Sequence, residues 1–205
     1  MGRVQGQIAA QPQESLRKCY ATLRRDNLHY ELRVAERADD VKERLETFFE
    51  LHRLRARAPF APEHPDVFAA ERSRSFLREY LAYASETGSA VLFELLVDGE
   101  VVASRIAFVL GDSLYLYFSG YHPGMSRYSV MTTSTVEAIK WAIKKGFKTI
   151  NLSTGRDQSK LRWRPTEVPL IEADWVSPSW RGPVLYQFSR SVKKYVKQVT
   201  ASPKG

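Results

Sequence analysis

The sequence predicts an α/β protein: a mixed, mostly antiparallel twisted sheet flanked by helices, with elements in the order β-α-α-β-β-β-α-β-(α)-β-α. Two observations lead there. The run SAVLFELLVDGEVVASRIAFVLGDSLYLYFSGY (89–121) carries two hairpin signals, Asp98-Gly99 and Gly111-Asp112, which divide it into three strands. Behind it comes a long helical pattern and then a strand, FKTINLS, a step suited to parallel pairing.

Each element follows from local pattern. Residues 1–13 are polar and unpatterned, as a linker or frayed end would be. Leu16, Tyr20 and Leu23 share one face of a short basic helix over 14–26. LHYELRVAE (28–36) alternates as a strand. Asp39 or Asp40 can cap the next helix, whose apolar positions are Val41, Leu45, Phe48, Phe49 and Leu51. The proline-rich PFAPEHP should end it. A second helix is expected from about Asp66 to Thr87, carried by Phe68, Phe76, Leu77, Tyr80 and Leu81, with Gly88 as its C-cap. After the three strands, the helix over 129–145 buries Val136, Ile139 and Ile143 and ends in Lys144, Lys145 and Gly146. A strand at 148–153, a basic turn, a strand in VPLIEADWV and a terminal amphipathic helix (Val184, Leu185, Phe188, Val192, Val196) complete the order.

Composition narrows the class. The chain has 205 residues, 43% of them hydrophobic and 12% aromatic, enough for a real core. Its net charge of +8 is compatible with nucleic acid, anionic lipid, phosphate-bearing ligands or acidic glycans. The basic residues are scattered over several elements without a nucleic-acid-binding motif, so no DNA partner is expected. One cysteine, Cys19, excludes an internal disulfide and a cysteine zinc site, and the four histidines lack metal-ligand spacing, so no metal is expected. No apolar run reaches the length of a membrane span. A cytoplasmic location follows, with peripheral contact at the inner face of the membrane through Arg190, Lys193, Lys194 and Lys197 as the exception.

Three pieces taken together, VLFELLVDGEVVASRIAFVLGDSLYLYFSGY, EAIKWAIKKGFKTINL and STGRDQSKLRW, resemble the GNAT acyltransferase fold over about residues 28–176. More narrowly, they resemble the GNAT-like domain of BioF2/CelD-type proteins of cellulose and exopolysaccharide synthesis, relatives of the FemAB peptidoglycan aminoacyl transferases. The division implied is an N-terminal extension at 1–27, a GNAT-like domain at 28–180 and a C-terminal helix at 181–205. The resemblance implies acyl transfer from acyl-CoA, acetyl-CoA foremost, or from an acyl carrier protein. The acceptor would be an amino or hydroxyl group of a small molecule or glycan of the cell-envelope or exopolysaccharide class. Many relatives hold two such domains in tandem, so a second GNAT-like domain or a dimer partner is implied too. Two departures stand out: no Gly in the Arg127–Met131 stretch entering the long helix, and Ser159 where the family has Tyr before its lysine. They keep two other readings open. One is a FemAB-like transferase using aminoacyl-tRNA. The other is a degenerate domain that binds a glycan or a partner.

The candidate site follows from this. Residues Gly124, Arg127, Tyr128 and Ser129 precede the long helix, where amides and dipole favour an anion such as a donor phosphate. Ser119, Gly120 and Tyr121 end the fourth strand, where the resemblance implies a backbone N–H that polarises the thioester carbonyl. His122 lies just beyond and is the candidate general base. Asp157 is an alternative carboxylate that also suits an N-cap, and Asp112 a second alternative. Lys160 is the candidate for a developing oxyanion or acidic acceptor group, with Arg156, Arg162 and Trp163 binding the acceptor beside it. No Cys or Ser has the His partner that a covalent route requires.

Overall fold

The computed structural model describes residues 10–58 and 64–171, together with Gln187; the side chains of 10–16 are outside this set. The chain divides into two units, Met1–Pro165 and Thr166–Gly205. The first holds five helices and five strands: α1 (Ala10–Arg25), β1 (Tyr30–Ala35), α2 (Ala38–Ala56), α3 (Glu71–Glu86), β2 (Ala90–Val97), β3 (Glu100–Leu110), β4 (Ser113–Tyr121), α4 (Val130–Lys144), β5 (Thr149–Asn151) and α5 (Gln158–Leu161). A 3₁₀ turn at Pro123–Tyr128 joins β4 to α4. In the second unit the described residues 166–171 are in neither helix nor strand.

The sheet has the order β1-β2-β3-β4-β5, antiparallel throughout except for the parallel pair β4–β5. Both hairpins fall where their turn residues required. Asp98 (φ 49°) and Gly99 (φ 87°) both take the left-handed region that a two-residue hairpin turn needs. Strand β2, flanked by β1 and β3, is buried along its whole length, which explains its nearly continuous apolar run. Phe48, Leu45, Leu77 and Leu81 of α2 and α3 cover one face of the sheet with Leu92 and Ile106. On the other face, Ala138 and Ala142 of α4 lie on Val91, Phe93, Ala107 and Leu114.

Several expectations are corrected. Asp39 and Asp40 do not cap α2. Arg37 holds the N-cap position and the two acids lie in the first turn, where their charge still suits the helix dipole. The second helix starts at Glu71 rather than Asp66, because the Asp66 carboxylate accepts from the Phe68 amide and closes a local turn that competes with helix. Phe76 (67% exposed) and Tyr80 stand outside the core, which α3 enters instead through Leu77, Leu81 and Ala84. Ile143 is exposed too. α4 buries Thr133, Ser134, Ala138 and Ala142, small side chains that let it lie close to the sheet. Of the strand expected in VPLIEADWV, the described residues 168–171 are not in a strand; 172–176 and the terminal helix, Gln187 excepted, lie outside the described residues. The first helix is no bystander. Cys19 and Leu23 are fully buried, Leu23 in a cluster with Tyr128 and Val130, and Tyr20 Oη donates to Glu137 of α4. Among the described residues, no helix is long and apolar enough to cross a membrane.

One close approach controls how α2 meets the sheet. A Cβ added to Gly120 would lie 2.3 Å from the His52 backbone nitrogen and 2.5 Å from the Leu51 carbonyl carbon. Only a residue without a side chain lets the C-terminal half of α2 rest on β4. Gly120→Ala is expected to lower the unfolding free energy by about 1–3 kcal/mol, the usual range for overpacking, or more because the obstacle is backbone. Urea denaturation checks this, and an unchanged midpoint would refute it.

Candidate active site

The cleft exists because two strands part. β5 pairs with β4 for three residues only, Ser113, Leu114 and Tyr115 against Thr149, Ile150 and Asn151. Past that point Tyr117 is an extra residue on β4, since Ala107 faces Leu116 and Ile106 faces Phe118. A bulge of this kind sharpens the local twist and re-aims the strand. On the other side the Asn151 side chain takes the Ser153 amide at 2.8 Å and Ser153 adopts φ 73°, which turns the chain away. The resulting cavity of about 680 Å³ lies between Tyr117, Ser119 and Tyr121 on one side and Ser153 and the 157–163 segment on the other. Ser129, Val130, Met131, Thr132 and Thr135 of the α4 entry also line it, with Arg55, His64 and Arg105.

The α4 entry is built for an external partner. Ser129 is the N-cap in a left-handed conformation (φ 54°, ψ 38°), and no side chain caps the helix. The first-turn amides of any α-helix lack internal acceptors, so those of Val130 and Met131 remain for a ligand or solvent. Arg162 Nη1 donates to Thr132 Oγ1 at 3.3 Å, which brings a cation to the same turn.

At the end of α2, His52 is fully buried and its Nδ1 lies 3.0 Å from the Ser119 carbonyl oxygen. Arg55 Nη1 donates to Ser119 Oγ at 2.6 Å and to the same carbonyl at 3.3 Å. From β3, Arg105 Nη2 donates to Thr135 Oγ1 at 3.0 Å while its Nε has no partner. Burial, with Arg55 nearby, pushes the Arg105 guanidinium down to about 10, so it stays charged at neutral pH. Burial likewise lowers Arg55. The His64 ring stands 5.0 Å from that of His52, and burial, followed by Arg55 and His52, pushes His64 down to about 4.

Of the residues expected from sequence, Ser119, Tyr121, Ser129, Asp157, Lys160, Arg162 and Trp163 do line the cleft. Lys160 Nζ is held by Asp157 Oδ2 at 2.6 Å and by the Thr154 carbonyl, so it closes the 154–160 turn. Partial burial would raise Asp157, but hydrogen bonds from Lys160 and Ser159 prevail and hold its carboxyl at about 2. Gly120 sits behind the wall, against α2. His122 is exposed, its ring folded beside Gly124, and it is not part of the cleft lining; nor is Arg156. Gly124, Arg127 and Tyr128 belong to a separate depression with Leu28, Asp98 and Glu100. Arg127 stacks on the Tyr128 ring at 4.5 Å and lies 3.7 Å from Asp26, which also accepts from the Tyr128 hydroxyl and from Arg25 Nε. The 3₁₀ turn is the reason: it rotates these side chains away from the strand gap. Asp112 is at the start of β4, the end opposite the cleft, paired with Lys148 at 3.2 Å.

Sequence reasoning missed Arg55, His64 and Arg105. A signal for one was present: Arg105 is the sole charge in the run VVASRIAFVL, where an unpaired charge is costly. Arg55 and His64 gave none, because only the packing of α2 on Gly120 brings that corner to β4.

Because His64 is held at about 4 against an ordinary 6.5, the unfolded chain binds more protons than the folded one between those values. Stability is therefore complete above about pH 6.5 and falls as pH drops toward 4, with His52, also lowered by burial, acting in the same direction. Asp157 adds a second loss below pH 4, as its carboxylate is protonated on the way to 2. Melting temperature against pH should show the upper step, and His64→Gln should shrink it; an unchanged step would refute the assignment.

No curated protein matches the chain in sequence. Among solved structures, a possible acetyltransferase from Clostridium difficile is 14% identical at a TM-score of 0.50, covering 72% of this chain and 99% of its own. An aminoglycoside acetyltransferase from an uncultured soil metagenomic sample, solved with sisomicin, is 17% identical over 74% of this chain and 97% of its own, at a TM-score of 0.45. The PaiA N-acetyltransferase of Thermoplasma acidophilum, solved with coenzyme A, is 13% identical over 57% of this chain and 75% of its own, at 0.40. At these identities the likeness is one of fold. The model of the acetyltransferase (GNAT) domain family matches residues 12–161, a span that starts within α1, ends at the last residue of α5 and includes the whole sheet. The chain belongs to the GNAT acetyltransferase domain family.

Proposed function

We propose that the protein transfers an acyl group, acetyl foremost, from acyl-CoA to an amino or hydroxyl group of a small molecule. The observation that carries this is the gap between β4 and β5 over a helix N-terminus that no side chain caps. Such a terminus suits the phosphates of a donor, and Arg162 at Thr132 adds the positive charge. When bound, acyl-CoA supplies a thioester carbonyl that the acceptor attacks directly. Backbone groups of Ser119 to Tyr121 polarise that carbonyl in this reading, and Trp163 and Tyr117 bound the space for the acceptor. Asp157 and His64, both held well below neutrality, are poorly matched to base catalysis at pH 7. Rate enhancement then rests on orientation and fixed dipoles. An acceptor from sugar or envelope-polymer chemistry belongs to the same proposal, on the strength of the STGRDQSKLRW segment.

Calorimetric titration with acetyl-CoA and longer acyl-CoAs tests it. Wild type should bind, Arg162→Ala should bind about tenfold more weakly, and Arg127→Ala should bind as wild type. Absence of heat at every chain length would remove the donor. Loss of binding in Arg127→Ala would move the phosphate site to the 3₁₀ turn.

A further inference from the structure

The protein pairs its buried charges elsewhere. Glu94, 1% exposed on β2, lies 3.2 Å from Arg44 and 3.6 Å from Arg33. Arg55 and Arg105 in the cleft are treated differently. Both are half-buried and lowered by burial, Arg105 also by Arg55, while Tyr121 and Asp157 raise Arg55; among the described residues neither has a carboxylate within ion-pair distance. Asp157, the carboxylate of the cleft lining, is spent on Lys160. The cleft therefore holds the cations of Arg55, Arg105, Lys160 and Arg162 against one anion. Two half-buried like charges whose one nearby carboxylate is paired to Lys160 are costly to keep together, and a ligand anion would offset that cost.

The two guanidiniums converge from opposite layers. Arg55 comes from the last turn of α2 and anchors on Ser119, just past the bulge. Arg105 comes from β3, directly opposite Ser119 in register, and anchors on Thr135, one turn further along α4 than the Thr132 that holds Arg162. Each keeps most of its five N–H donors free, in a planar fork that matches a carboxylate. The donor phosphates have their place at the α4 entry, so this deeper pair is left for a different anion.

Taking the transferase reading as given, we propose that Arg55 and Arg105 bind a carboxylate of the acyl acceptor. The acceptor is then an amino acid, a peptide terminus or a sugar acid. A polycationic amine of the aminoglycoside kind is repelled by the same charges.

The test pairs acceptors that differ in one group: free amino acids against their amides, and muramic acid against glucosamine, with kanamycin as the polycation. With acetyl-CoA as donor, wild type should favour the carboxylate of each pair in kcat/KM by about 10- to 100-fold, and Arg55→Gln or Arg105→Gln should collapse that ratio. Acetyl-CoA affinity measured by calorimetry should be the same in Arg105→Gln as in wild type. Without ligand, Arg105→Gln should melt about 2–4 °C higher, because one uncompensated charge is gone; this readout also shows that the variant folds. Millimolar amino acids, but not their amides, should raise the melting temperature of wild type and leave the variant unmoved. That arm needs no donor, so it separates failure of this assignment from failure of the transferase reading. The assignment is overturned if carboxylate and amide are equivalent in both turnover and melting, or if Arg105→Gln loses acetyl-CoA. It is overturned too if wild type prefers succinyl-CoA over acetyl-CoA through Arg105, which would place the carboxylate on the donor.

Discussion

Everything about this site depends on β4 losing its second neighbour part-way along its length. β5 accompanies it for three residues, and from the bulge at Tyr117 to Tyr121 the strand faces an open gap. Backbone groups left on such an edge must still be satisfied. Here the Ser119 carbonyl is met by side chains of α2, from His52 and Arg55. Those side chains reach it because Gly120, next in the chain, has no Cβ and lets the helix backbone touch the strand. The gap, the bulge and the glycine are one device: the first opens the sheet, the second aims the strand, and the third brings α2 up to it.

The same packing decides the electrostatics. On β2, Glu94 is buried with two arginines and forms a self-contained ionic cluster. In the cleft, Arg55 and Arg105 are half-buried with no carboxylate in ion-pair distance among the described residues, and burial, followed by Arg55, lowers His64. Opposite outcomes for the same residue type in one sheet show that sequence composition alone says little about where charge is compensated. The net charge of the chain, +8, is compatible with many partners. Its local distribution is more specific: four cations line one cavity, and the one carboxylate there is engaged by Lys160.

The basic turn and the donor loop, which looked equivalent in sequence, separate in three dimensions. The 157–163 segment returns to the cleft through α5, carrying Asp157, Lys160, Arg162 and Trp163 together. The Gly124–Tyr128 loop winds into a 3₁₀ turn that spends Arg127 and Tyr128 on Asp26 of the α1–β1 connection.

What the sequence determined by itself is local. The hairpins at Asp98-Gly99 and Gly111-Asp112, the helix after β4 and the short helix at 158–161 follow from turn chemistry and periodicity within a few residues. The membership of the basic turn in the site was legible for the same reason, as was the strand end at Ser119 and Tyr121. Faces were read less well: Ile143 and Phe76 are large and apolar yet exposed, because the buried surfaces of α3 and α4 are set by what fits against the sheet. Tertiary structure alone decided which charged residues converge. Arg55 and His64 lie far in the chain from Arg105, and the three line one cavity only because α2 packs on β4 where β5 has left it. Periodicity reports how a segment meets water; it carries no information on which distant segment will stand opposite.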